Sequence, residues 1–589
     1  MHKDSKDGFL MLAYAGDGAV LLVFDVDPKK IHLNRLAGFS VWCRTPHGGT
    51  YAKNEYYLPN KVGFTDKQEA AEDGKTDEEI GSDLAPFQTF HWTHMPGAGP
   101  GKYRYIGSVR YFGTHDPLAL EWGPKVTVDV DLTYRQFDDF ELGFTRGLVS
   151  SQAYADRFQN HAIRPEPNTI DYDTKPYLPA YQWLGTHGRQ CLFQFLNEAE
   201  KGNHDLDVFA YDLDEPDFIR MLCKMGKRVR VFLDDYVPSK AKEGQGHGPG
   251  SLEDAAAAKL AKAKVQVKRG HFARFAHEKV LILKKGSEPV KVLTGSANFS
   301  VRGLYVQSNS ILVFSDPNIA ATYEQVFEEV WTATNNAREE SDPSGAVATA
   351  FRKGKFSQDW VVLENHKDDD LPRLSVSFSP HRKPKNKTDS PFPLKTIADA
   401  VTHAKRSVFF ALMEAGEGAA IDALNAALDD PKVLCIGVTQ SKKGFNVRRA
   451  DIDPSAAFTS FSFLDQKVPK HFQKEWRGGE GQVIHHKFVV CDFNGPNPVV
   501  FCGSSNLARG GEEENGDNLL AIYDPDIATY YAVEALRLFD HYHFRSMEEN
   551  AASPQEILLD QTANWAQTYF DPNHFKCRER EILAGKQML

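Results

Sequence analysis

The sequence predicts a multidomain protein: an N-terminal β-sandwich over residues 1–150, then two tandem α/β domains of α-β-α layering over 170–345 and 365–589, related by a pseudo-two-fold. Three observations lead there. A chain of 589 residues is too long for one hydrophobic core. Its periodicity changes near Gln182 from two to an alternation of helices and strands. The second half then repeats the first at a constant offset of 208, pairing His277 with His485, Lys279 with Lys487, Gly295 with Gly503 and Asn298 with Asn506. An offset held from strand through loop to helix marks two copies of one structural unit.

The elements follow in order. Segments 19–27, 37–44, 103–112 and 126–134 alternate as strands between Gly, Pro and Asp turns, while 66–81 is acidic and polar, a solvated loop. Next come a helix over 181–200, a strand over 207–212, a helix over 215–225 and a strand over 228–233. That alternation implies a largely parallel sheet covered by helices. Polar stretches at 335–345 and 364–372 mark a boundary, after which 374–379, 394–405, 407–412 and 418–428 restart the pattern.

Composition excludes several classes. With 41% hydrophobic and 25% charged residues the chain is neither disordered nor fibrous. No apolar run approaches the ~20 residues that span a bilayer, and the first residues lack the pattern of a secretion signal. Seven cysteines form no CxxC pair, which points to a reduced, cytoplasmic setting. The net charge of −11 leans against a dedicated nucleic-acid binder. The loops before the two His-x-Lys motifs nevertheless hold fifteen Lys and Arg against six acids, so an anionic substrate is expected.

Each copy carries His-x-Lys, an apolar run and a Gly-Ser-x-Asn turn: His277-Glu278-Lys279 with Gly295-Ser296-Ala297-Asn298, and His485-His486-Lys487 with Gly503-Ser504-Ser505-Asn506. On a strand the His and Lys of each motif share one face. Covalent phosphodiester cleavage needs a nucleophile, an acid for the leaving oxygen, and donors or cations on the non-bridging oxygens. One imidazole supplies the nucleophile and the other the acid, with Lys279, Lys487, Asn298 and Asn506 on the phosphoryl oxygens. Each half has one such histidine, so a working site needs both halves. A lone histidine beside an apolar strand is usually structural, but two in register within the full motif are not.

At these residues the chain resembles the phospholipase D superfamily, whose signature is His-x-Lys-x4-Asp followed by Gly-Ser-x-Asn. The signature covers about 50 residues of each copy, and the family fold would account for about 170 to 589. The resemblance implies a phosphohistidine intermediate, one composite site, and neither metal nor other cofactor. The N-terminal region looks like the β-rich domain of some poorly characterised bacterial members, which implies no activity. The second copy keeps the motif acid, Asp492, where the first has Lys284. Family members often carry Asn-x-Glu further on. Here the second copy has Asn515-Gly516-Asp517 and the first Gln307-Ser308-Asn309. A carboxylate on an imidazole fixes its tautomer and raises its basicity. His485, backed by Asp517 and Asp492, is therefore expected to be the better oriented acid, and His277, with the lower pKa, the nucleophile. The N-terminal histidine is also the usual nucleophile of two-domain relatives.

Ser296 and Ser504 are expected to bond the turn backbone, Asp492 to be structural, and His486 to pack inside. The Gly-rich stretch 244–250 reads as a loop that could rim the site. Three functions stay open. One is a phospholipase D that hydrolyses or transfers a phospholipid head group at the periphery of a membrane, with Phe445, Phe458, Phe461, Phe463, Phe472 and Trp476 as an apolar lip. Another is a nuclease or tyrosyl-DNA phosphodiesterase-like enzyme whose aromatics stack nucleic-acid bases. The last, prompted by Lys284 and Asn309, is a catalytically impaired binding module. Neither head group nor oligomeric state is legible.

Overall fold

The computed structural model describes the chain except for residues 47–53, 61, 65–79, 98, 135, 138, 148–150, 167–168, 239–245, 338–342, 364–372, 387–388, 442, 450–456, 462–482, 551–557 and 587–589. Most of the expected loop at 66–81 and the lip residues Phe463, Phe472 and Trp476 lie outside the described residues.

The N-terminal region forms two four-stranded antiparallel sheets. Alternate residues of Val20–Val26 and Leu36–Arg44, among them Leu22, Phe24, Phe39 and Val41, share one core. That core is completed from the far end of the chain. Ala566 and Tyr569 lie in it, the Trp565 indole donates to the carbonyl of Leu36 at 2.9 Å, and Arg580 pairs with the buried carboxylate of Asp25. The chain also leaves this region before the expected limit at 150, because Phe140–Phe144 pairs with Ser310–Phe314 in the first α/β sheet.

Each α/β unit is built on an eight-stranded sheet, and the two have the same order. In the first it runs Gln136–Phe137, Phe140–Phe144, Ser310–Phe314, Glu288–Gly295, Val280–Lys285, Asp205–Ala210, Val229–Asp234, Gln266–Gly270. In the second it runs Val361–Leu363, Arg373–Phe378, Asn518–Tyr523, Val499–Gly503, Lys487–Cys491, Ser407–Leu412, Leu434–Thr439, Phe458–Ser460. The sheets are mixed rather than largely parallel, since in each only two pairings, those made by Val229–Asp234 and by Leu434–Thr439, are parallel. The helix-and-strand alternation that predicted a parallel sheet holds only there. After the His-x-Lys motif the chain turns back at once through a hairpin, which forces antiparallel pairing.

Two local devices fix the motif region. Gly295 and Gly503 adopt φ of +142° and +146°, and a Cβ there would meet the carbonyl oxygens of Ser310 and Asn518 at 2.2 and 2.4 Å. Only glycine permits both this backbone and this approach. Asp492, the motif acid, accepts from the backbone N–H groups of Lys405, Arg406 and Ser407 at 2.7–3.1 Å. It pins the start of the neighbouring strand, away from the histidines. In the first half Lys284 instead pairs with Asp207 and Glu324. Asp492→Ala is expected to lower unfolding free energy by about 2 kcal/mol by stranding these donors, with turnover per folded molecule unchanged. Denaturant titration beside activity assays checks this.

Candidate active site

The motif histidines lie just before their strands. Strand begins at Val280 in the first half and at Lys487 in the second. The reason is that the backbone here pairs across the halves. Ala276 forms an isolated bridge with Gly516, and Ile484 one with Ser308. The His277 N–H donates to Gly516 O at 2.8 Å, the Ser308 N–H to Val483 O at 2.8 Å, and the His485 N–H to Ser308 O at 3.3 Å. These contacts are reciprocal: each half gives its motif to the other's Asn/Gln-x-Asp/Asn segment.

Side chains follow the same exchange. Nδ1 of His277 lies 2.7 Å from Oδ1 of Asp517, and Nδ1 of His485 lies 2.8 Å from Oδ1 of Asn309. The hydroxyls of Ser504 and Ser296 donate to those same two oxygens at 2.9 and 2.8 Å. The expectation that Asp517 backs His485 is thus corrected. The carboxylate belongs to His277, across 240 residues of sequence, and Asp492 backs neither histidine. The two serines do accept backbone N–H groups, from Ser310 and Asn518, and also orient the groups that hold the imidazoles.

The electrostatics are corrected with the geometry. Burial and the neighbouring Lys279 push His277 down to about 4 despite the opposing pull of Asp517. His485 is pushed well below its ordinary value by burial, then by Lys487, Lys279 and His277. Burial also lowers both lysines, Lys279 to about 8. Asp517 stays below the usual carboxylate range although burial opposes it, because His277 and Lys279 face it. The centre is therefore a buried cluster of basic groups, each held toward its neutral form, whose protonation an entering phosphodiester anion would favour.

Lys279 donates to the carbonyl of His277, and Lys487 to that of His485, its Nζ lying 3.3 Å from Nε2 of the same ring. Asn298 Nδ2 donates to Asp212 at 2.6 Å, and the Oδ1 atoms of Asn298 and Asn506 are buried without a partner among the described residues. Asn515 accepts from Arg274 at 2.8 Å and donates to Asp517 at 3.2 Å, steadying that carboxylate. Gln307 accepts through its backbone carbonyl from Thr145, and its buried side-chain Oε1 has no partner among the described residues. His486 faces away, 3.0 Å from Glu534, which Arg537 also binds. An opening of about 320 Å³ reaches Asn506 between Arg274, Glu414, Glu417 and Arg509.

The proposed aromatic lip is not a lip where it is described. Phe445, Phe458 and Phe461 are buried, the first two packing with Phe410 and the third against Tyr542. Sequence reasoning missed Tyr211, whose ring meets those of His277 and His247 edge-on, and a chain of Asp212, His247 and Asp234 beside it. His247 lies in the Gly-rich stretch expected as a loop that could rim the site, and the structure brings it beside Tyr211 and Asp212. Asp212, His247 and Glu253 bring ligand-type atoms within 4.8 Å of one another, but both ring nitrogens of His247 are already engaged by carboxylates.

Residues 192–331 and 397–539 each match the family described as "Cardiolipin synthase, PLD-like domain". Mitochondrial cardiolipin hydrolase from Chlamydomonas reinhardtii is 26% identical over 149 residues, covering 25% of this chain and 60% of that protein. The protein of the same name from Xenopus laevis is 28% identical over 162 residues, covering 27% and 66%. The chain thus spans less than two thirds of the length of these curated relatives. Among solved structures, phosphatidylserine synthase of Haemophilus influenzae aligns at 14% identity and a TM-score of 0.38, covering 67% of this chain and 93% of that one. Nuc of Salmonella typhimurium, a phospholipase D family member, aligns at 21% and 0.20, covering 24% and 86%. With its signature motifs duplicated and both α/β units matched, the chain belongs to the phospholipase D superfamily.

Proposed function

We propose that the protein is a phosphodiesterase of the phospholipase D type that acts on phospholipid head groups through a phosphohistidine on His277. The reciprocal exchange of histidine partners carries this proposal, since it makes one site from two halves. Asp517 holds the His277 Nδ1–H tautomer, leaving Nε2 to attack phosphorus. As the P–N bond forms, the bond to the leaving oxygen breaks and His485 gives that oxygen its proton. Lys279, Lys487, Asn298 and Asn506 stabilise the charge on the non-bridging oxygens. Water then attacks phosphorus, loses a proton to His485, and returns the P–N electron pair to His277. An alcohol in place of water gives transfer. The resting site keeps His485 neutral, so the negative charge of the bound diester must raise its proton affinity before it can serve as acid. No step uses a metal ion.

The reciprocal bridges are the basis for a pseudo-two-fold between the halves, and the shared core of the two N-terminal sheets for a β-sandwich. Seven free cysteines, six of them buried, suit a reducing cytoplasm, and a phospholipid substrate would require peripheral membrane contact. Among the described residues no helix is long and apolar enough to cross a membrane.

Lipid is preferred because it presents one phosphate to a confined positive site, whereas strand tracking needs basic charge over several nucleotides. Part of the basic sequence is already engaged: Lys268 bonds the carbonyl of Trp331 and Arg269 those of Asp234 and His247. Relatives named for cardiolipin place that lipid first in the assay. Purified protein is incubated with vesicles of labelled cardiolipin, phosphatidylcholine or phosphatidylethanolamine, and with single- and double-stranded DNA, with and without chelator. Head-group release that chelator leaves unchanged is expected. Cleavage of single-stranded DNA alone, falling steeply with salt, would replace lipid by nucleic acid. Loss in chelator with recovery in a divalent ion would overturn the metal-free mechanism.

A further inference from the structure

We infer that His247 is a positioning residue of the first-half site, an imidazolium wedged between Asp212 and Asp234 that ties the backbone before His277 to the amide of Asn298. The inference rests on the phosphodiesterase proposal and deepens it. The chain of contacts is continuous. The Ala276 N–H, immediately before His277, donates to Oδ1 of Asp234 at 2.5 Å. Oδ2 of Asp234 lies 2.7 Å from Nδ1 of His247, and Nε2 of His247 lies 3.1 Å from Oδ1 of Asp212. Oδ2 of Asp212 then accepts from Nδ2 of Asn298 at 2.6 Å.

Counting donors fixes the charge of the ring. A neutral imidazole has one N–H, so one of its nitrogens would face a carboxylate lone pair with its own. Both contacts are satisfied only when both nitrogens carry protons. Burial lowers the proton affinity of His247, but the hydrogen bonds it donates to Asp212 and Asp234 push it up to about 10. The cation offsets two carboxylates beside Lys279, which would otherwise be drawn toward Asp212 and away from a phosphate. The same carboxylate selects the orientation of the Asn298 amide, because only its nitrogen can donate. The second hydrogen on that nitrogen is left for a phosphoryl oxygen.

The second half shows that the fold itself does not require this device. Strand register places Gln440 where Asp234 stands and Glu414 where Asp212 stands. Oε1 of Gln440 accepts from the Ile484 N–H, just before His485, at 2.9 Å. A neutral amide thus does for the second motif the backbone task that a charged Asp–His pair does for the first. The charge is an addition specific to the side that holds the nucleophile.

The test is a double-mutant cycle on a soluble chromogenic diester with the full-length protein, His247→Ala against Asn298→Ala. His247→Ala is expected to lower kcat about thirtyfold with KM changed less than about threefold, since the amide acts on transition-state charge. In the Asn298→Ala background the same change should cost less than about threefold, because both act through one contact. Wild-type kcat in His247→Ala, or a full thirtyfold further loss in the Asn298→Ala background, overturns the inference. If His247→Ala does not fold, Asp212→Asn replaces it in the same cycle with the same expectations. Nitrogen-15 NMR of histidine-labelled protein at pH 7.5, with His247→Gln for assignment, gives a readout independent of turnover. Two protonated ring nitrogens are expected at His247 even in a preparation that cleaves no diester, a result that would then count only against the proposed activity. A neutral ring, or one divalent ion per chain lost with His247, overturns the imidazolium.

Discussion

His277→Ala and His485→Ala are each expected to lower turnover of a soluble phosphodiester by at least about a thousandfold, and the double variant to be little worse than either. The two rings perform one concerted exchange, and neither Lys nor Asn can replace an attacking or proton-donating imidazole. Truncation leaves the scaffold intact, because the backbone bridges to Gly516 and Ser308 are made by main-chain atoms. The variants also separate the roles. In wild type, alkaline quenching during turnover followed by mass spectrometry should find the phosphoryl group on His277, which has the tautomer-fixing carboxylate at Nδ1. An adduct on His485 would reverse the assignment. Near-normal turnover by either alanine variant would remove the composite site altogether.

Asp517→Asn is expected to cost about a hundredfold or more while keeping the fold. The protein contains the control for this substitution: Asn309, in the equivalent place, already holds the His485 Nδ1–H with the help of the Ser296 hydroxyl. An asparagine at 517 would keep the hydrogen-bond direction through Ser504 and remove only the charge. Opposite charges at about 4 Å and an effective dielectric near 20 interact by about 4 kcal/mol, so loss of the carboxylate as His277 becomes a cationic phosphohistidine is costly. The measurement is kcat beside a melting curve. Turnover within threefold of wild type would show that Asp517 orients His277 without stabilising its charge.

Both expectations concern contacts of a kind that the sequence could not supply. Each motif and the glycines at 295 and 503 are local signals, and the 208-residue offset is found by matching two such signals along the chain. Side-chain alternation and the backbone freedom of glycine are set within a few residues, so strands, turns and the identity of the histidines were legible. Assigning Asp517 to His485 followed the chain, and the chain was the wrong guide: Asp517 lies 32 positions after His485 but bonds His277. The aromatics proposed as a lip were judged by their basic neighbours in sequence, whereas Phe445, Phe458 and Phe461 are spent on the core. His247, in a Gly-rich stretch without periodicity, gave no sign of its two carboxylates. The sequence by itself determined the family and the two α/β units and pointed to the His, Lys and Asn residues as candidates, because each motif is shorter than one element and its repetition at a constant offset can be read along the chain. The tertiary structure decided which carboxylate serves which histidine and which charges are buried together. A hydrogen bond reaches only about 3 Å, and what lies within 3 Å of His277 is set by the docking of one half against the other.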